Sequence, residues 1–288
     1  MATVASARPR RPKNIGKWIL VYGTTIFFLV TTLVPFVWMA ISSIKPNPEL
    51  YNFKQAPFIV YKPTLEHYAD MFSKYPFWTW MTNTIVVSVL STAISLIVGI
   101  LGGYSLARLR FRGAEVLGLG VFVTYLVPRT LLFVPLAYIV RSLGLYDSIW
   151  ALVITYPTFL IPFCTWLLMG YFRGIPRELE ECAMIDGCNR VEALFKIVLP
   201  LCLPGIVSAG LFAFTLSWNE FIYALTFTQA SVNTTLAVGV VGALTVGDAF
   251  FWGSLMGAAL LASVPVALLY SFFLEYYVKG LTAGAVKG

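Results

Sequence analysis

Long uncharged apolar runs constrain this chain more than any other feature. Residues 18–41 contain no charged side chain over about 24 positions, more than the roughly 20 needed to cross a bilayer. Residues 83–107, 149–172 and 250–274 repeat the pattern, and 116–140 and 205–227 do so with one charged residue each, Arg129 and Glu220. In lipid, backbone N–H and C=O groups must be satisfied within the segment itself, so runs of this length read as helices. The expectation is an all-α polytopic membrane protein with six transmembrane helices. Only 11% of the 288 residues are charged, well below the roughly 25% of soluble domains.

Charge then orients the runs. The N-terminal cluster Arg8, Arg10, Arg11, Lys13 and Lys17, the triplet Arg108, Arg110 and Arg112, and the basic residues of 173–204 all fall on one side of a six-span chain. The other side holds Lys45, Lys54, Lys62 and Lys74, with Arg129 and Arg141 within or at the end of the third span. By the positive-inside rule, both termini and the 173–204 stretch are cytoplasmic. The net charge of +7 is therefore read as topology, not as nucleic-acid binding. A basic stretch before an apolar run also resembles a signal peptide, but 18–41 exceeds the roughly 7–15 residues of an h-region. It is read as an uncleaved first helix after a cytoplasmic tail, 1–17. Residues 42–82 form an outer segment too proline-rich for one helix, with Thr64 opening a short helix whose face carries Leu65, Tyr68 and Phe72. Gly99, Gly102, Gly103 and Ser105 give the second span a face for close helix packing. Residues 83–274 form the core and 275–288 a cytoplasmic tail, with 228–248 a second outer segment.

One stretch breaks the apolar pattern. Residues 173–204 carry Arg173, Arg177, Glu178, Glu180, Glu181, Asp186, Arg190, Glu192 and Lys196. Each Asp, Lys or Arg at a bilayer centre costs about 2.5–3.5 kcal/mol, so this stretch lies in water or against another protein. Its punctuation predicts two short helices. Pro176 opens the first, glutamates follow in its first turn, and Gly187 ends it in the left-handed conformation. Asn189 and Glu192 then form a capping box for the second helix, which carries Val191, Leu194, Phe195 and Val198 on one apolar face. On the first helix Leu179, Cys182, Ala183 and Asp186 share a face, and the small Cys182 and Ala183 admit a close partner. An amphipathic loop resting on lipid headgroups is the plainer reading of the same residues.

Within the spans, Arg129, Asn219 and Glu220 are exceptional, because polar and ionisable groups in lipid are costly unless they have a role. With Trp218 and Tyr223 as aromatic platforms they are candidates for a solute path. Arg129 is expected to face a cavity, pair with Glu220, or snorkel. Equally, Asn219 and Glu220 could simply bond neighbouring helices. Cys164, Cys182, Cys188 and Cys202 make no C-x-x-C pair and His67 is the single histidine, so neither a disulfide framework nor a metal site is expected.

The charged stretch resembles the EAA loop of permease subunits in bacterial ABC importers. The likeness rests on Glu181-Cys182-Ala183, Asp186-Gly187 and Ile197-Val198-Leu199-Pro200, with Cys182 in place of the first alanine of that pattern. Asn83-Thr84, Trp218-Asn219-Glu220-Phe221 and the tail from Lys279 to Gly288 are similar to the carbohydrate branch, closest to the six-span second permease of maltose-type systems. The resemblance implies a type I ABC importer permease fold in the inner membrane. It also implies a coupling role for Glu181, Cys182, Ala183, Asp186 and Gly187 against a cytoplasmic ATPase. Its implied partners are a homologous second permease, two ATPase copies and an extracytoplasmic sugar-binding protein, besides membrane lipid. No cofactor is expected in this chain, since no G-x-x-x-x-G-K-[ST] is present and ATP-Mg would sit on the ATPases. An ABC permease for another solute such as a glycerol-phosphate, and a stand-alone secondary transporter using Glu220, remain as alternatives.

Overall fold

The computed structural model describes residues 15–283 except 53, 55, 110 and 248. Most of the 1–17 tail, Arg110, Asp248 and the last five residues therefore lie outside the described residues. Four helices are long and apolar enough to cross a membrane, and two bent helix pairs bring the number to six if each pair is one span.

Helix α1 (Ile15–Ile44) is apolar all round and exposed along almost its whole length, as a lipid-facing helix must be. Thr24, Thr25 and Thr31 return their hydroxyls to carbonyls four residues back at 2.7–2.8 Å, which satisfies them without water. Two short helices follow, α2 (Asn47–Leu50) and α3 (Glu66–Lys74). Thr64 accepts from the Glu66 amide at 3.1 Å, but the inward face of α3 carries His67 and Met71. Of the residues expected to share one face, Leu65 and Phe72 are exposed while Tyr68 packs against the core.

Helix α4 (Phe77–Arg108) is the axis of the bundle. It starts six residues before the expected second span, and Phe77, Trp80 and Met81 in its first turns are buried. Its glycines let α8 (Pro157–Gly174) approach closely: a Cβ on Gly99 would lie 2.6 Å from Cys164 Cβ, and one on Gly103 3.1 Å from the Met169 nitrogen. Cys164 is accordingly a buried packing residue. Ahead of α8 runs α7 (Ile149–Thr155), and together they make one span.

The third span is not one helix. α5 (Ala114–Leu126) and α6 (Arg129–Ser142) meet at 94°. Val127 precedes Pro128, and the proline ring drives it out of the helical region to φ −65°, ψ 124°. Arg129 consequently opens α6 as an exposed residue instead of sitting inside a straight span.

After α8 come α9 (Arg177–Ile185), α10 (Arg190–Ala193), a π-helical segment Leu194–Val198 and α11 (Leu199–Leu201), which bends by 78° into α12 (Leu203–Trp218). The expected apolar stripe splits across the π segment, which takes more residues per turn than an α-helix. Leu194 and Val198 are buried while Val191 and Phe195 face out. The fifth span also ends earlier than expected: α12 stops at Trp218, and α13 (Ile222–Phe227) starts after a break.

Residues 228–248 were expected as a polar outer segment, yet they contain α14 (Leu236–Leu244), which packs into the bundle. Its Gly239 lies on the Trp80 indole, where a Cβ would come within 2.3 Å. A two-residue ribbon, β1 (Thr245–Val246) with β2 (Ala249–Phe250), leads to α15 (Trp252–Ala283). α15 continues helically past 274, where a tail was expected to begin.

Candidate functional site

The charged stretch folds into a self-contained surface element. α9 ends in a complete Schellman turn: Gly187 N–H donates to Met184 O at 3.2 Å and Cys188 N–H to Ala183 O at 3.0 Å. Gly187 has φ +95°, a conformation any L-residue adopts only with strain. Two residues later Asn189 Oδ1 accepts from the Glu192 amide at 2.9 Å, and the Asn189 amide donates to Glu192 Oε2 at 3.0 Å. Helix ends that close on their own residues leave the outer face of α9 free. That face is Glu178, Glu181, Cys182 and Ile185, of which Ile185 is 84% exposed.

Glu181, Cys182, Asp186 and Gly187 are thus all at the surface. Ala183 is not: it turns inward with Glu180 and is buried, so the face expected to hold it is rotated. Ile185 is the exposed apolar residue that replaces it, recognisable only once the inward face is known.

The inward face holds what sequence reasoning missed. Glu180 accepts a hydrogen bond from the Tyr104 hydroxyl, and its Oε2 lies 3.4 Å from Arg108 Nε. Arg108 Nη2 also donates to Ile175 O at 2.8 Å, just before α9. Both charged side chains are almost wholly buried, at 3% and 7% exposure. Arg108 had been read only as a topological marker. A cavity of about 450 Å³ opens beside the pair, lined by Arg108, Leu109, Arg177, Glu180, Glu181, Met184 and Arg190.

At the other end of α4, the break after α12 gathers most of the residues expected in a path. Arg129, Thr130, Asn219, Glu220, Phe221, Ile222 and Tyr223 line a cavity of about 180 Å³. Glu220 does not pair with Arg129; among the described residues the ion pairs are Arg108–Glu180 and Lys74–Asp70. Its carboxylate instead accepts from the amides of Tyr223 at 3.0 Å and Ala224 at 3.1 Å, capping α13. Arg129 lies 5.0 Å over the Phe159 ring. Tyr223, expected as a platform, is 1% exposed, and its hydroxyl donates to Arg129 O at 3.2 Å. Trp218 stacks on Phe214 and borders a different, apolar cavity of about 430 Å³ with Trp252, Leu236 and Met256. Asn219 reaches both cavities and donates to Thr215 O at 2.9 Å.

The loop 228–235 above this region is fastened from three directions. Asn83 Nδ2 donates to Val232 O and Thr234 O, both at 2.9 Å, and Trp80 Nε1 to Ser231 O at 2.6 Å. Asp147, itself at φ 59°, accepts from the Gln229 and Ala230 amides at 2.7 and 2.9 Å. Those amides hold its carboxyl below the usual aspartate range. Thr84 Oγ1 accepts from the Leu236 amide at 2.8 Å, so α14 is capped by a side chain of α4.

Residues 96–283 match the family described as the binding-protein-dependent transport system inner membrane component. The chain is 38% identical over 269 residues, 93% of its own length and 95% of the relative's, to the inner membrane ABC transporter permease protein YcjP of Escherichia coli. It is also 38% identical, with both chains fully covered, to the sulfoquinovosyl glycerol transport system permease protein SmoH of Agrobacterium fabrum. Among solved structures it is similar to a chain of a bacterial ABC transporter involved in the import of the acidic polysaccharide alginate. The TM-score is 0.76 at 22% identity, covering 94% of this chain and 100% of that one.

Proposed function

The chain belongs to the family of binding-protein-dependent transport system inner membrane components, and we propose that it is the permease subunit of an importer for a sugar or oligosaccharide. It is a multi-pass inner-membrane protein with the all-α type I permease fold, and it is a transporter component rather than an ATPase-bearing enzyme. The saccharide class is supported by relatives named for sulfoquinovosyl glycerol, trehalose and maltose, and diacetylchitobiose transport.

The observation that carries the reading is the α9 element. It is preformed by its Schellman turn and capping box, and it presents Glu178, Glu181, Cys182 and Ile185 outward. In this reading α9 docks on a cytoplasmic ATPase that binds ATP-Mg, with both termini of this chain on the same side. Two ATPase copies, a homologous second permease and an extracytoplasmic sugar-binding protein complete the complex. Closure of the ATPases pushes on α9, and rocking of the bundle opens the solute path alternately to each side. On that path Asn219 and the Arg129 guanidinium offer hydrogen bonds to sugar hydroxyls, while Glu220 and Tyr223 hold the wall. Secondary transport has less support, since it needs a free membrane carboxylate and Glu220 is occupied as a helix cap.

Co-expression with its ATPase and second permease, followed by reconstitution, tests the proposal. Labelled-saccharide uptake should require both internal ATP and the binding protein. Uptake by this chain alone, driven by an ion gradient, would overturn it.

A further inference from the structure

We propose that Arg108, Glu180 and Tyr104 form a strut that fixes the coupling element to α4, and that α4 carries displacement of α9 to the loop 228–235 at its far end. The inference rests on the coupling role proposed for α9 and adds the internal route.

Three observations support it. First, the connection is short and buried. Glu180 accepts at one oxygen from the Tyr104 hydroxyl and lies with the other 3.4 Å from Arg108 Nε, an ion pair without a hydrogen bond, while Arg108 Nη2 donates to Ile175 O at the entry to α9. Arg177 Nη2 adds a long contact to Ala107 O at 3.4 Å. Every one of these bonds joins the α9 region to the last two turns of α4. A buried ion pair contributes little net stability compared with a matched apolar pair, so its plausible use is to specify one arrangement.

Second, α4 is a stiff lever. Its 32 residues contain no proline, and at roughly 1.5 Å per residue it extends about 48 Å. The bent pairs α5–α6 and α11–α12 have no such continuity. Third, the far end is fastened as tightly as the near end. Trp80, Asn83 and Thr84, on the first two turns of α4, hold Ser231, Val232, Thr234 and the first amide of α14. One rigid helix therefore has polar attachments at both ends, to the ATPase-docking element and to the opposite loop.

Contiguity is not coupling, so the test must measure coupling itself. The reconstituted complex with its ATPase, second permease and binding protein is assayed for saccharide uptake and ATP hydrolysis in the same vesicles. Glu180→Gln should still co-purify with the ATPase and hydrolyse ATP, yet its uptake per ATP should fall roughly 2- to 30-fold, the range expected for loss of a coupling contact. Asn83→Ala should also lower uptake per ATP. The double variant should be no worse than the poorer single, because both interrupt one route. Arg108→Gln combined with Glu180→Gln, which removes both charges of the pair, should also assemble and should not restore the ratio. If Glu180→Gln fails to assemble, Tyr104→Phe, which removes one hydroxyl, takes its place with the same expectation.

Unchanged uptake per ATP in these variants overturns the strut. So does strict additivity of Glu180→Gln and Asn83→Ala. Gly187→Asp in the same assay separates the two levels. If it abolishes uptake while the strut variants do not, α9 couples by another route. If it has no effect, the coupling role of α9 falls and the strut with it.

Discussion

Glu180 and Glu220 are both buried carboxylates in a lipid-soluble chain, and they are used in opposite ways. Glu220 is satisfied by amides three and four residues ahead of it, on the helix it starts. Glu180 is satisfied by a tyrosine and an arginine more than 70 positions away in sequence. The first is anchored chiefly by its own turn, with the buried Tyr156 beside it. The second exists only when α4 and α9 are docked.

The contrast makes ordered predictions. Arg108→Met leaves Glu180 buried without its cation, which costs about 3–5 kcal/mol for a broken buried pair. Its thermal unfolding in detergent should show the largest loss, and Arg108→Met with Glu180→Met should recover most of it. Glu220→Ala should cost about 1–3 kcal/mol for each amide left unpaired, with no second-site rescue from Arg129. Glu220→Gln keeps an acceptor and should lose about 1 kcal/mol of charge–dipole energy while uptake and substrate range stay unchanged. A changed substrate range would return Glu220 to the solute path. Asn189→Ala removes half of the capping box and should cost about 1 kcal/mol, seen as earlier proteolysis of the charged loop.

The smallest effect concerns pH. Asp147 has a depressed pKa because two amides favour its ionised form. Its contribution is complete above the unfolded value of about 3.9 and disappears as pH falls through the lower folded value. Hydrogen exchange of the 229–235 amides should be insensitive to protonation of Asp147 between pH 7 and 5 and should lose protection only below about pH 4.

The same distinction explains what could be read in the sequence. Gly187, Asn189 and Glu192 act within a few residues, so the helix stop and restart were legible at their positions. The close-packing glycines of α4 were legible as a face, though not the Cys164 backbone they meet. Pro128 marks the interruption of 116–140 in the sequence itself, and the rule that residues before proline leave the helix places it at Val127; the 94° angle was not legible. α14 was missed because nine apolar residues are too few to span and were averaged into polar flanks. Its N-terminal partner, Thr84, is 152 positions away. Glu180 was missed for the related reason that adjacent glutamates look alike until the docked helix shows which one points inward. The rotation of Ala183 and Ile185 follows from the same fact.

Helix α1 adds a consequence for assembly. It is apolar on every side and rests chiefly against α15, the last of the described helices. Among the described helices it is synthesised before all the others, and its principal neighbour after all the others. Between those moments it is stable only because lipid suffices as its surroundings. A ribosome stalled before residue 252 would leave it inserted but without that neighbour.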